Sequence, residues 1–352
     1  MAGPLGALIV GCGMIARYHA RALLEIPQVR IAGYLTRSEA SAARLIAEIP
    51  GAAAPVYTDL ALALAAPGVD LVIVTTPSGN HLEYASAAAR AGKHVVVEKP
   101  LEITAKRCDG IIEDCERAGV KLCTIFPSRF HDANIALHGA VVAGRFGRIT
   151  LGETTCKWWR SQAYYDDGGW KGTLALDGGG ALMNQAIHNV DLLLWMLGRV
   201  THVVGFTAIL AHERIEVEDT AVACLRFASG ALGVIQATTS VYPGLPKTIG
   251  IHGDRGTVVI EQEDVLRWDF STSAPEDEAI RTRFAAKVGA SGGASDPKSI
   301  SHHGHTRQLA DFVGAILGRY APKVDGREGR KAVEVIRAIY AASASGAAVE
   351  VR

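Results

Sequence analysis

The residue types best suited to proton chemistry in this chain are an amine, an imidazole and an amide: Lys99 in Glu98-Lys99-Pro100, and His188 and Asn184 four positions apart. Lys99 follows the apolar run Val95-Val96-Val97, and Pro100 disfavours helical geometry at the lysine, so the amine sits at a strand end. In α/β proteins that is where ligands bind. A half-buried lysine beside another cation has its pKa lowered and takes a proton from an alcohol near neutral pH. Three glycines, Gly178 to Gly180, open the helix that carries Asn184 and His188, and the i, i+4 spacing projects both from one face. An imidazole relays a proton, whereas an amide holds a hydroxyl and accepts no proton. Asp191 lies a further turn on, placed to orient His188 or to pair with neighbouring backbone.

A second constellation binds phosphate. Gly11-Cys12-Gly13-Met14-Ile15-Ala16 follows an apolar strand and opens a helix. Gly11 permits the tight turn, Gly13 admits a pyrophosphate to the backbone, and Ala16 allows close helix packing. Free N–H groups at Met14 and Ile15 then face the phosphates. At the end of the second strand, about 20 residues on, NAD enzymes carry an acidic residue for the ribose hydroxyls. Thr36-Arg37-Ser38 stands there instead. Hydroxyls beside a guanidinium suit a 2′-phosphate. The expected cofactor is therefore NADP(H), with NAD(H) as the alternative; the plainer reading makes Ser38 a helix cap and Arg37 a solvated side chain.

The elements that must hold these groups are legible as a change of rhythm. Up to Phe126, apolar runs (Ala7 to Val10, Ile31 to Leu35, Leu71 to Thr75, His94 to Val97, Leu122 to Ile125) alternate with helical stretches, the pattern of a doubly wound parallel sheet. Beyond it, a helix from Asp132 to Ala143 and one from Ala181 to Leu197 flank seven strand-like runs between Ile149 and Phe270, joined by turn signals such as Ser229-Gly230. We expect an α/β chain: a Rossmann domain over 1–126, then an α+β domain over 127–352 with a large, mostly antiparallel sheet. Helices on one face of that sheet leave the other to be covered, which predicts a homodimer or homotetramer. Residues 289–295 read as a mobile loop, and two helices, Thr306 to Leu317 and Arg327 to Ser343, close the chain.

Composition excludes several classes. The 352 residues balance 36 basic against 36 acidic side chains, so no field favours nucleic acid or an anionic membrane. No apolar run approaches the roughly 20 residues of a membrane span. The six cysteines show no C-x-x-C pairing and read as small buried hydrophobes in a reducing cytoplasm. Trp158 to Gly172 is rich in aromatics; Arg160, Tyr165 and Trp170 are assigned to a substrate pocket, packing of the second domain's core being an equal reading. His302-His303-Gly304-His305 fits no common zinc spacing, so no metal is expected and a contact near cofactor or substrate is preferred.

The glycine loop, Glu98-Lys99-Pro100 and the Gly178 to Asp191 helix together resemble the glucose–fructose oxidoreductase, inositol dehydrogenase and rhizopine-catabolism (Gfo/Idh/MocA) family, along essentially the whole chain. Thr76 and Pro77-Ser78-Gly79-Asn80-His81 look like that family's loop beside the cofactor. The resemblance implies a nicotinamide-dependent oxidoreductase acting on a cyclic polyol, pyranose or sugar derivative. It implies Lys99 and His188 as catalytic, and Thr76, Pro77, Asn80, His81, Glu98, Lys99 and Gln185 as cofactor contacts. The chain departs at Asn184, where inositol dehydrogenase-like members have aspartate. Asn184 is therefore cast as a substrate hydroxyl anchor, and its Asn-Gln pair is similar to members that oxidise sugars or nucleotide sugars at C3. A ketoreductase on a nucleotide-linked deoxysugar and a non-enzymatic NADP-sensing regulator are the competing readings.

Overall fold

Unbroken apolar runs form strands buried on both faces, and the first part of the chain is built from them. Strands β1 (Leu5–Val10), β2 (Val29–Leu35), β3 (Val56–Tyr57), β4 (Leu71–Val74), β5 (His94–Val97) and β6 (Leu122–Thr124) pair in parallel in the order β3-β2-β1-β4-β5-β6. Helices α1 (Met14–Leu24), α2 (Glu39–Glu48), α3 (Leu60–Ala65), α4 (His81–Arg90) and α5 (Ala105–Ala118) make the crossovers. Their ends follow local chemistry. Thr104 caps α5 by accepting the Arg107 N–H at 3.3 Å, and Gly119 ends it with φ +66°. The order reverses between β1 and β4, so the crevice of the sheet lies at their carboxyl ends. The two-residue β3 and the short α3 were not expected, being too brief to show a period.

This computed structural model describes residues 3–167, 169–286 and 301–351, and the loop expected over 289–295 lies outside them. The chain forms two compact units, Met1–Pro127 with Ser301–Arg330, and Ser128–Ile300 with Lys331–Arg352. The second unit begins at Ser128, and residues 301–330 return to the first. There α10 (His303–Gly318) sets Leu309, Phe312 and Val313 into the same core as Ile9, Leu23 and Ile73. Gln308 completes the join, accepting from the Phe126 N–H at 2.9 Å and donating to the Thr124 carbonyl at 2.7 Å.

In the second unit α6 (Asp132–Val142), β7 (Ile149–Lys157), α7 (Gln162–Asp166), a π-helical turn (Ala181–Ala186) and α8 (Ile187–Leu197) precede the strands β8 (Val200–Ala208), β9 (Thr220–Phe227), β10 (Leu232–Thr238), β11 (Thr248–Gly253), β12 (Gly256–Glu261) and β13 (Asp264–Phe270). Helices α9 (Asp277–Arg283) and α11 (Gly326–Ser345) and strand β14 (Val349–Glu350) follow. The sheet order is β13-β12-β11-β7-β10-β9-β8-β14, antiparallel throughout except for β7 with β10. One sheet face is packed by helix: on α8, Asn189 donates to the Thr154 hydroxyl at 2.7 Å and the Thr248 carbonyl at 3.0 Å, bridging β7 and β11. Among the described residues no helix is long and apolar enough to cross a membrane.

Candidate active site

In the first unit the site is built at the carboxyl ends of β1, β4 and β5. Gly11 has φ +94°, and a Cβ there would stand 2.9 Å from the Thr75 carbonyl, so the turn after β1 admits no side chain. Thr75 closes it, its hydroxyl donating to the Val10 and Gly11 carbonyls. At Gly13 the space is open, and no side chain caps the N–H groups of Met14 and Ile15 at the start of α1. An uncapped helix start beside an unobstructed glycine fits a dinucleotide pyrophosphate. Cys12 is buried, which pushes its thiol up to about 11 and leaves it a packing residue. At the end of β2, Thr36 accepts the Ser38 N–H at 3.2 Å; Arg37 and Ser38 are exposed, and the Ser38 side chain makes no cap bond to α2.

Lys99 follows β5 with its side chain half-buried, between a buried Glu98 and a buried Pro100. Glu98 is not left to face a ligand. Its Oε1 pairs with His19 Nε2 at 2.8 Å and lies 3.6 Å from His305 Nε2, while Oε2 accepts the Lys99 N–H at 3.0 Å. Burial raises the carboxyl's pKa, yet the two imidazoles beside it outweigh burial and hold it well below the usual range. Glu98 is thus an internal anion in this unit. His81 is also held internally. It is 1 % exposed, with Nδ1 2.9 Å from the Pro100 carbonyl and Nε2 3.0 Å from the Thr76 carbonyl, so it ties the Thr76 to Asn80 loop to the segment after Lys99. Thr76, Pro77 and Asn80 remain half-buried on that loop.

In the second unit the helix expected over 181–197 is not uniform. Its first six residues form a π turn, a geometry found at functional sites. The cause lies far along the chain: Glu218 accepts the Gly180 N–H at 2.9 Å, the Leu182 N–H at 2.8 Å and the Tyr340 hydroxyl at 3.0 Å. A Cβ on Gly180 would overlap the Glu218 carbonyl. Burial pushes the Glu218 carboxyl up to about 7 against those three donors. Asp177 holds the other side, accepting the Gly172 N–H at 2.9 Å and the Asn184 side-chain N–H at 2.7 Å. That bond orients the Asn184 amide, and both Asn184 and His188 are half-buried. Asp191 is gripped by a buried fork from Arg129, at 2.8 and 2.6 Å.

The aromatic stretch divides. Tyr165 is buried, its hydroxyl 2.9 Å from that of Thr239 and its ring edge-on to His212. The neighbouring Tyr164, which sequence reasoning missed, lies between Arg160 (5.6 Å) and Lys171 (4.3 Å), with its hydroxyl 3.5 Å from Gln185 Nε2. Arg160 is buried over Trp158, and burial lowers its pKa. Trp170 is half-buried. Gln185, expected at the cofactor, is buried in this unit, and its Oε1 has no hydrogen-bond partner among the described residues. The histidine triplet separates too. His302 pairs with Glu25 at 2.8 Å, while His305 is buried beside Glu98.

In the first unit, a Rossmann sheet with an open glycine turn and a lysine at the next strand end but one fits a dinucleotide-dependent enzyme; in the second, the π turn and the helix packed on the sheet carry an amide and an imidazole. Residues 5–126 match the oxidoreductase family with an NAD-binding Rossmann fold, and residues 135–259 match the GFO/IDH/MocA C-terminal domain. The chain belongs to the GFO/IDH/MocA family of oxidoreductases. It is similar to the WlbA dehydrogenase of Bordetella pertussis, solved with NADH and UDP-GlcNAcA: 32% identical, TM-score 0.90, covering 100% of this chain and 99% of that one. It is 32% identical over 196 residues to the myo-inositol 2-dehydrogenase of Thermotoga maritima, a match over 54% of this chain and 56% of that protein. With the inositol 2-dehydrogenase of Rhizobium meliloti it shares 24% over 285 residues, 78% and 83% of the two chains.

Proposed function

We propose that the protein transfers a hydride between nicotinamide and a ring carbon bearing a secondary alcohol, on a cyclic polyol, a sugar or a sugar derivative. The observation that carries this is the glycine turn after β1 and Lys99 after β5, both at carboxyl ends of strands in a single parallel sheet. The dinucleotide, when bound, supplies the hydride acceptor or donor. Lys99 takes the hydroxyl proton as general base and His188 shares it, while Asn184, its amide N–H held by Asp177, orients the hydroxyl through its carbonyl oxygen. Gly11, Gly13, Met14 and Ile15 bind the pyrophosphate.

For the cofactor we propose NADP(H), since Arg37 is exposed and the Ser38 hydroxyl is not used as a cap. The solved relative holds NADH, and a lower KM for NAD than for NADP sinks this choice. Among substrates, the whole-chain likeness to a dehydrogenase solved with UDP-GlcNAcA favours a second reading, a nucleotide-linked sugar worked at its ring hydroxyl or ketone. A homodimer or homotetramer through the exposed sheet face and a cytoplasmic location complete the proposal.

A screen of polyols, free sugars and nucleotide sugars with each cofactor, read at 340 nm, separates these substrates from a regulator that turns over nothing. With the substrate found, Lys99→Ala is expected to lower kcat by a factor on the order of 10² while cofactor affinity holds. Retained activity removes Lys99 from the chemistry.

A further inference from the structure

The proton transfer proposed above uses Lys99 but gives no role to the buried group one residue away. His19 on α1, Glu98 after β5 and His305 on α10 bring three separate elements onto one carboxylate. Their side chains are 0%, 5% and 6% exposed. The imidazoles cross edge to face at 5.4 Å. Both meet Glu98 through Nε2, and both Nδ1 atoms are buried without a hydrogen-bond partner among the described residues. A cationic ring would strand an N–H there, whereas a neutral ring donating from Nε2 leaves only a lone pair. Burial also lowers the His305 pKa, in the same sense. The cluster therefore carries one negative charge, on Glu98, fixed in a dry interior.

The other titratable groups around it are Tyr18 on α1, 6.0 Å from His305 between ring centroids, His302 at the start of α10, Cys123 on β6, and His81 of α4 at the Pro100 carbonyl. Lys99 follows Glu98 in the chain, and its backbone N–H donates to Glu98 Oε2 at 3.0 Å. The donor atoms of the cluster lie within 4.8 Å of one another, close enough to suggest a metal. Metal-bound imidazoles, however, almost always donate their outer N–H to an acceptor, and neither ring has one among the described residues.

We propose that His19 and His305 are positioning residues that hold Glu98 as a fixed anion, and that this anion sets the geometry and proton affinity of Lys99. The cofactor helix α1 and the returning helix α10 thereby act on the amine through a single carboxylate. The inference rests on Lys99 being the base.

The test uses the full-length protein with its cofactor and the substrate found in the screen. An adjacent anion favours the ammonium form, so Glu98→Gln is expected to move the ascending limb of kcat/KM to lower pH by about one pH unit. His305→Ala is expected to move it the same way by less and to lower kcat about tenfold with cofactor KM nearly unchanged. His305→Gln, which keeps an N–H donor, is expected to restore the wild-type limb. A second measurement needs no turnover: the pH midpoint for acylation of Lys99 by acetic anhydride, read by peptide mass spectrometry, should shift as the limb does. Limbs and acylation midpoints that stay at wild type in Glu98→Gln and His305→Ala overturn the proposal, as does stoichiometric zinc in the purified protein. Activity surviving in Lys99→Ala is a separate failure, of the base assignment, and the acylation midpoint still decides whether Glu98 governs the amine.

Discussion

Glu218 shows how one side chain links stability to pH. Its carboxyl, moved by burial from an ordinary value of 4.5 to about 7, binds a proton more tightly in the folded than in the unfolded chain. A raised carboxyl pKa gives stability that is present below about 4.5 and lost as pH rises through about 7. By linkage the loss is on the order of 3 kcal/mol. Denaturant unfolding at pH 5 and pH 8 is therefore expected to show a smaller pH dependence in Glu218→Gln than in the wild type; equal slopes would rule Glu218 out as the source. The same carboxylate caps the turn that carries Asn184, so the variant also reports on the substrate half of the site. At Lys99 the corresponding control is electrostatic rather than capping, through Glu98.

At the scale of elements, two glycines divide cofactor binding from catalysis. Gly11→Ala forces a Cβ toward the Thr75 carbonyl in a left-handed turn, a strain of about 1–3 kcal/mol, and is expected to weaken cofactor affinity by about tenfold or more. Gly180→Ala drives into the Glu218 backbone and displaces the π turn, so kcat should fall while cofactor affinity stays. Fluorescence titration of the reduced cofactor alongside steady-state kinetics checks both, and a loss of cofactor affinity in Gly180→Ala would contradict the division. Much of this frame is legible from periodicity: runs such as Leu71 to Val74 and the Ala-rich helices carry their periods plainly. The π turn is not, because Glu218, 36 and 38 residues away, imposes it. Nor is the grouping of His19, Glu98 and His305, which depends on where α10 docks and not on any spacing. That Tyr165 rather than Tyr164 meets the Thr239 hydroxyl is likewise unreadable from the sequence.

At the scale of the whole molecule, the second unit's sheet exposes apolar side chains among the described residues. Phe206 is 69% exposed, and Val204, Val222 and Leu232 stand out with it on β8, β9 and β10, with Phe206 paired to Val222 across the ladder. Exposed apolar patches of this kind mark association surfaces. A double change, Phe206→Glu with Val222→Glu, is expected to lower the assembled mass seen by light scattering without unfolding the chain; an unchanged mass would place the interface elsewhere. The path of the chain matters in another setting. The first unit is left at Pro127 and finished only by Ser301–Arg330. During synthesis on the ribosome, the nascent Rossmann sheet must wait through Ser128–Ile300 before Leu309, Phe312 and Val313 emerge to seal its core. Until His305 emerges, Glu98 lacks one of its two imidazoles.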